Sequence, residues 1–492
     1  MITACRHIFL NAAVLCVAFT SALVADGPYS TTAPVPDTFR AGFESISEKE
    51  SEELLSILVE GEMSGRGTGQ EGYFKAAAWF ASKLESYGFQ PGGTDGSWYQ
   101  GVPFIKLSTQ PDQCYFRAGD EEAIAGKSLG ISDFAGSYEG DLPVTLATVT
   151  KERPAPVDGS MEGRLLIIQA EGRISWNDDF ILKSRPACVL IVADEARVRN
   201  EAVNQSEQTP STIPVAMVTA AAANQLAGKC GLNASFFGDA TPVRNLFVTS
   251  SQTIKSKLVI EREAIDVPNV VGWYPGSDET LRQEYICVGA HLDHLGVQRG
   301  ELFPGADDNG SGSAAILQVA KAIHTNPIKP KRSVLLMAFC AEERGLLGSK
   351  HFVAHPLKPL SDIICMLNID MIGRNEESSS EPASENANTI HLVGSKDHSA
   401  ELHAMVETAN KSVGFVFEYD EENRVDGRSD HASFSEKGIP VTFLFGGFNP
   451  HYHKTTDTMD GINYSKIANA ARLDYLVLMM AAEHGRFALD KK

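Results

Sequence analysis

The stretch Tyr285-Ile-Cys-Val-Gly-Ala-His-Leu-Asp-His294 decides the reading of the chain. The apolar run Tyr285–Ala290 reads as a strand buried in a mixed or parallel sheet, and it stops abruptly on polar, ligand-type residues. Working outward, the same texture recurs at Ser333–Cys340, Ile363–Ile369 and Val441–Phe445. Helical periodicity lies between or after these runs, at Gly312–His324, Ala400–Lys411 and Ile467–Arg486. The pattern predicts an α/β fold, a mainly parallel mixed sheet flanked by helices.

Each run ends in chemistry. His291 and His294 end the first, Glu342 and Glu343 the second, and Asp370 the third; His453 lies in the loop after the fourth. Ligand sites in open α/β sheets lie at the carboxyl ends of strands, so these groups are expected on one edge. Carboxylates brought together cannot all stay ionised without a compensating cation. Imidazole with carboxylate is the donor set of zinc, whereas an all-oxygen set would suggest calcium or magnesium. A pair of metals about 3.5–4 Å apart would need a bridging carboxylate. Asp308, in the Gly-rich turn Gly305–Gly312, is placed to supply one. His294, His351, His355, His398 and His403 read as surface or packing residues, and Asp430-His431 as either pocket wall or structural. Ser311 and Ser313 lack a nucleophile elbow, which argues against a serine hydrolase.

Before this α/β part, Ser45–Leu58 and Gly72–Gly88 read as amphipathic helices joined by a Gly-rich loop at Gly65–Gly69. From about Ala135 to Thr249 short β-type runs, such as Leu165–Ile168 and Val189–Val192, alternate with Pro, Gly and Asn, which marks a smaller separate module. The polar segment Glu376–Asn388 reads as a flexible surface loop. Arg6 and His7 precede the apolar run Ile8–Ala25, with small residues Ala22 and Ala25 as cleavage points; this reads as a secretory signal peptide. The expected organisation is therefore 1–25 signal peptide, 37–134 first part of the catalytic domain, 135–250 insertion and 251–492 catalytic domain. The expected location is secreted or periplasmic, with no membrane association after signal cleavage. Cys188, Cys287, Cys340 and Cys365 sit inside apolar runs and read as buried free thiols; the absence of Cys-x-x-Cys argues against a zinc ribbon or redox motif. A chain of 492 residues with a formal net charge of −20 suits two domains, and the charge disfavours nucleic acid or an anionic membrane as partner. Nothing in the pattern assigns an oligomeric state.

The segments Ala290-His-Leu-Asp-His294, Gly305-Ala-Asp-Asp-Asn-Gly-Ser-Gly312, Ala341-Glu-Glu-Arg-Gly-Leu-Leu-Gly-Ser349, Asn368-Ile-Asp-Met-Ile-Gly373, Gly427-Arg-Ser-Asp-His431 and Tyr452-His-Lys-Thr-Thr-Asp-Thr458 together resemble the co-catalytic zinc aminopeptidases of bacteria, relatives of the glutamate carboxypeptidases. The intervening module resembles a protease-associated domain. The resemblance implies two Zn2+ per chain: His291 and Asp370 on one, Glu343 and His453 on the other, and Asp308 between them. It implies Glu342 as general base on a metal-bridging water. It makes Asp293 the carboxylate that orients His291, Asp457 the one that orients His453, and Tyr452 and Arg428 the groups that stabilise the oxyanion and bind substrate termini. It also implies a cis peptide between Asp308 and Asn309. The expected activity is hydrolysis of the N-terminal bond of peptide substrates. The rivals are a carboxypeptidase or dipeptidase of the same family, a single-metal glutaminyl cyclase, and a non-catalytic receptor-like protein. The last would be expected to have lost some of the ligands or the base.

Overall fold

The computed structural model describes residues 28–131, 136–172, 174, 178–193, 201–205, 213–238, 240–298, 300–419 and 427–490. The expected signal peptide lies outside these residues. The described chain builds two sheets of different character. The larger runs in the order Val416–Glu418, Thr389–Val393, Val441–Phe445, Ile363–Asp370, Tyr285–His291, Ser333–Phe339, Ile260–Tyr274, Tyr99–Thr109 and Glu201–Gln205, with Gln90–Pro91 beside Ile260–Tyr274. Its four central strands, from Val441–Phe445 to Ser333–Phe339, are parallel, and the strands on either side join them antiparallel.

Strand alternation decides which helices cover which face. Along Ser333–Phe339, Val334, Leu336 and Ala338 join one apolar cluster, while Leu335, Met337 and Phe339 join another. The first cluster is closed by helices Arg40–Ser45, Glu48–Val59, Glu71–Ser86, Gly312–Thr325, Ala400–Asn410 and Tyr464–Glu483. The second is closed by Leu347–Ala354 and His431–Ser435, through Phe352 and Phe434. Burial on both faces is why the central strands read as continuous apolar runs. The helix expected at Ser45–Leu58 runs Glu48–Val59, after a short helix Arg40–Ser45; its start is set by Ser47, whose hydroxyl accepts from the Glu50 amide at 3.2 Å.

The second sheet takes the order Glu121–Ile124, Tyr115–Ala118, Leu246–Leu258, Tyr138–Val149, Leu165–Ala170, Cys188–Ala193, Val215–Thr219 and Leu129–Ile131. It has apolar clusters of its own, distinct from those of the large sheet. The domain break expected between 134 and 135 falls inside this sheet, since Tyr115–Ala118 pairs with Leu246–Leu258. The two sheets are joined by a ribbon in which Tyr99–Thr109 pairs with Ile260–Tyr274, from Val270↔Tyr99 to Ile260↔Thr109.

Cys188, Cys287, Cys340 and Cys365 are buried free thiols, as are Cys114 and Cys230. Among the described residues no helix is long and apolar enough to cross a membrane. The 376–388 segment lies largely at the surface, as expected, and is tied down near its ends. Glu376 reaches the ring of His391 at 2.8 Å, and the Asn386 side chain donates to the Glu376 carbonyl at 3.1 Å.

Candidate metal centre

The parallel strands deliver their terminal residues to one edge. His291 and Asp370 are the last residues of their strands, and Glu342 and Glu343 follow Phe339 in a single short turn. Three backbone positions at this edge are left-handed without being glycine: Ala341 at φ 54°, just before Glu342; Met371 at φ 52°, just after Asp370; and His453 at φ 54°. Such conformations persist where the surroundings over-determine them and cluster at functional sites.

Asp308 is the centre of the arrangement. Its Oδ1 lies 3.4 Å from His291 Nε2, and its Oδ2 lies 3.1 Å from His453 Nε2. His291 Nε2 also meets Asp370 Oδ1 at 3.1 Å, and His453 Nε2 meets Glu343 Oε2 at 3.0 Å. One carboxylate thus faces two imidazoles, each of which faces a further carboxylate. The peptide between Asp308 and Asn309 is cis.

Neighbouring groups fix these side chains. His291 Nδ1 donates to the Asp293 carbonyl at 2.9 Å, which leaves Nε2 turned inward. The Asp293 carboxylate is 3.9 Å from that ring; it accepts instead from the Glu342 amide at 3.1 Å and from the Thr68 hydroxyl at 2.8 Å. The orienting oxygen of Asp293 is therefore its carbonyl, and its carboxylate positions Glu342. Asp457 does not orient His453 as expected. It accepts from the amides of Asp307 and Asp308 and from Arg374 Nε, each within 3.1 Å, so it holds the turn that carries Asp308. Asp307 ties the same turn to the loop after Asp370 by accepting from the amides of Gly373 and Arg374 at 2.7 and 3.0 Å. Tyr452 stacks on His453 at 3.8 Å between ring centres. Arg428 is exposed, 5.9 Å over the ring of Phe448.

Three residues of the site escaped the sequence reading. His294, expected at the surface or in packing, is buried, with Nδ1 2.7 Å from Glu343 Oε1 and 3.6 Å from Asp308 Oδ2. Arg66 is wholly buried and donates to the carbonyls of Leu58, Leu292, Pro304 and Gly305, which ties together the chain on both sides of the hairpin Gly296–Phe303. Thr68 is the third. The only signal for the last two was the Gly-rich loop around them.

The electrostatics are those of a site short of positive charge. Burial and the neighbouring Glu343 push the Asp308 carboxyl up to about 6. Burial opposes charge on His453, but hydrogen bonds to Asp308 and Glu343 outweigh it and raise the ring to about 10. Burial also raises Glu342 well above the carboxylate range, with Asp370, Asp430 and Glu343 adding to it. Two imidazoles and three carboxylates, with inward atoms about 3 Å apart, fit zinc in ligand chemistry and spacing.

Residues 269–478 match the model of peptidase family M28. Similar proteins include the probable lipoprotein aminopeptidase LpqL of Mycobacterium tuberculosis, 28% identical over 61% of this chain and 59% of that protein. Leupeptin-inactivating enzyme 1 of Streptomyces exfoliatus is 30% identical over 44% of this chain and 48% of its own. Aminopeptidase YwaD of Bacillus subtilis is 32% identical over 39% of each. The chain thus matches between 39% and 59% of the length of these relatives. Among solved structures, the aminopeptidase from Aneurinibacillus sp. strain AM-1 is similar with a TM-score of 0.57 at 21% identity, over 92% of this chain and 98% of that one. BSAP, a zinc aminopeptidase from Bacillus subtilis, is similar with a TM-score of 0.55 at 18% identity, over 89% of this chain and 95% of its own. The likeness to these two structures establishes the shared α/β fold over 92% and 89% of this chain.

Proposed function

We propose that the chain is an exported aminopeptidase of family M28 that works with two zinc ions. The observation that carries this reading is the position of Asp308, whose two oxygens face His291 and His453 separately. His291 and Asp370 would hold one ion, His453 and Glu343 the other, and Asp308 both. When bound, a zinc pair lowers the pKa of a water and polarises the scissile carbonyl.

The chain's own residues do the rest. Glu342 stands beside the ligands, its Oε2 4.0 Å from His291 Nε2, and its amide is anchored on Asp293. A carboxyl whose affinity for protons is raised by burial suits a base that takes a proton from water and hands it to the leaving amine. Burial and the surrounding carboxylates push the Tyr452 phenol above its ordinary value. It therefore stays protonated and can donate a hydrogen bond where negative charge develops. Surplus carboxylate at this edge would attract a substrate ammonium. Arg428, exposed over Phe448, would meet a more distal part of the peptide. Phe445, Phe448 and Tyr452 pack edge to face in succession toward His453, which supports an apolar first side chain. The second sheet is assigned as a protease-associated insertion, and the Arg6–Ala25 pattern supports export to the periplasm or medium.

The deciding experiment compares a free dipeptide with its N-acetylated and C-amidated forms, with and without a chelator. An aminopeptidase cleaves the free and amidated forms, spares the acetylated one, and loses activity on chelation. Cleavage of the acetylated form with loss of the amidated one would make the enzyme a carboxypeptidase.

A further inference from the structure

A second histidine–carboxylate group lies two strands away from Asp370. Asp370 pairs with Phe445, Phe445 with His391, and His391 with Glu418. Register therefore sets these four residues in one lateral row on one face of the sheet. Glu376, from the loop that follows the Asp370 strand, completes the group. His391 Nε2 is 2.8 Å from Glu376 Oε2 and 3.3 Å from Glu418 Oε2, and ligand atoms of all three lie within 4.8 Å of one another.

These separations match those of the centre described above, where His291 Nε2 has carboxylate oxygens at 3.1 and 3.4 Å. Donor atoms that share one ion at about 2.0–2.2 Å in tetrahedral geometry lie about 3.2–3.6 Å apart; Glu418 already stands at that separation from His391, and Glu376, now at hydrogen-bond distance, would draw back by a few tenths of an ångström. The placement of Glu376 is built into the fold. Its carbonyl accepts from the Asn386 side chain, its neighbour Glu377 donates its amide to the Phe448 carbonyl at 3.0 Å, and Gly447 leaves it room. A Cβ on Gly447, at φ +90°, would stand 2.5 Å from that of Glu376. The nearby buried Lys466 sends its ammonium to the carbonyls of Arg374 and Gly446, both at 3.2 Å.

We propose that Glu376, His391 and Glu418 form a further divalent-metal site, separate from the M28 centre, that takes zinc through one imidazole and two carboxylates. Its role is structural. It fastens the two outer strands and the 376–388 segment to Phe445, whose ring packs 5.5 Å from that of His391.

Crystals of the full chain grown with zinc chloride and measured at the zinc absorption edge give a direct test. The expected anomalous peak lies about 2.0–2.2 Å from the three side chains. A map without that peak overturns the proposal, and identifies the group as a carboxylate–imidazolium cluster held by a proton. A peak here with none at His291 and His453 would instead sink the two-zinc reading and leave this site standing. In solution, zinc per folded chain should fall by one in His391→Gln, and likewise in Glu418→Gln should the first variant not fold. Equal metal content in wild type and folded variant overturns the proposal.

Discussion

Glu342 and Glu343 are neighbours in the chain with opposite proton affinities. Burial and adjacent carboxylates raise Glu342, whereas hydrogen bonds from His294 and His453 overcome burial and hold Glu343 well below the ordinary range. Glu342→Gln should therefore keep the fold and the metal content but lose about 10²–10⁴-fold in kcat; near-normal turnover in this variant would remove Glu342 from the mechanism. His294 is the donor that holds the second oxygen of Glu343. Removing such an outer partner typically costs about 10–100-fold in metal affinity, so His294→Ala should show that loss in competition with a chromogenic chelator. Affinity equal to wild type would mean that the contact is only packing. The residue pattern made the meeting of His291, Asp308, Glu343, Asp370 and His453 at one edge legible because each ends or follows an apolar strand or sits in a Gly-rich turn. His294 was not legible: nothing in Leu-Asp-His-Leu tells which way the chain bends after the strand, and that bend alone turns the ring inward.

At the scale of elements, the turn Ala306–Ser311 is held by a carboxylate from a distant loop. Asp457→Ala would leave the amides of Asp307 and Asp308 without acceptors and the Arg374 guanidinium buried without its partner. Breaking a buried pair in this way costs about 3–5 kcal/mol, which urea unfolding would read; a cost below about 1 kcal/mol would show that the turn stands without it. The resemblance implied that Asp457 serves His453, but the loop carries its carboxylate to the amides of Asp307 and Asp308 and to Arg374. The long helix Tyr464–Glu483 holds a second test. Burial lowers Lys466 to about 8, against the pull of Asp307, Glu376 and Glu418. A base with a lowered folded pKa binds its proton more tightly when unfolded, so stability rises with pH between the folded and unfolded values. From about pH 7.5 to 9.5 the wild type should gain about 2 kcal/mol relative to Lys466→Met; parallel profiles would contradict the shift. Element types were legible wherever burial was two-sided. The start of the second sheet was not, because its strands Tyr115–Ala118 and Glu121–Ile124 form a short hairpin carrying Arg117, Glu121 and Glu122, without an apolar run.

At the scale of the molecule, the α/β unit and the second sheet keep separate apolar clusters, and every residue of the candidate metal centre lies in the former. Calorimetry should resolve two unfolding transitions, and a chelator should lower one while leaving the other in place; a single transition that shifts as a whole would show the units to be energetically fused. The ribbon between them has a practical consequence. Thr109 and Ile260 stand directly opposite each other on antiparallel strands, so the chain departs for the second sheet and comes back from it side by side, with only Glu201–Gln205 of the intervening described residues reaching back to pair in the large sheet. An Asn-Gly turn joining those two residues would convert the ribbon into an ordinary hairpin, and the second sheet could be excised or exchanged like a cassette. The cost would fall on Tyr99–Thr109, which now pairs with Glu201–Gln205 and would become a bare sheet edge, open to association with another chain.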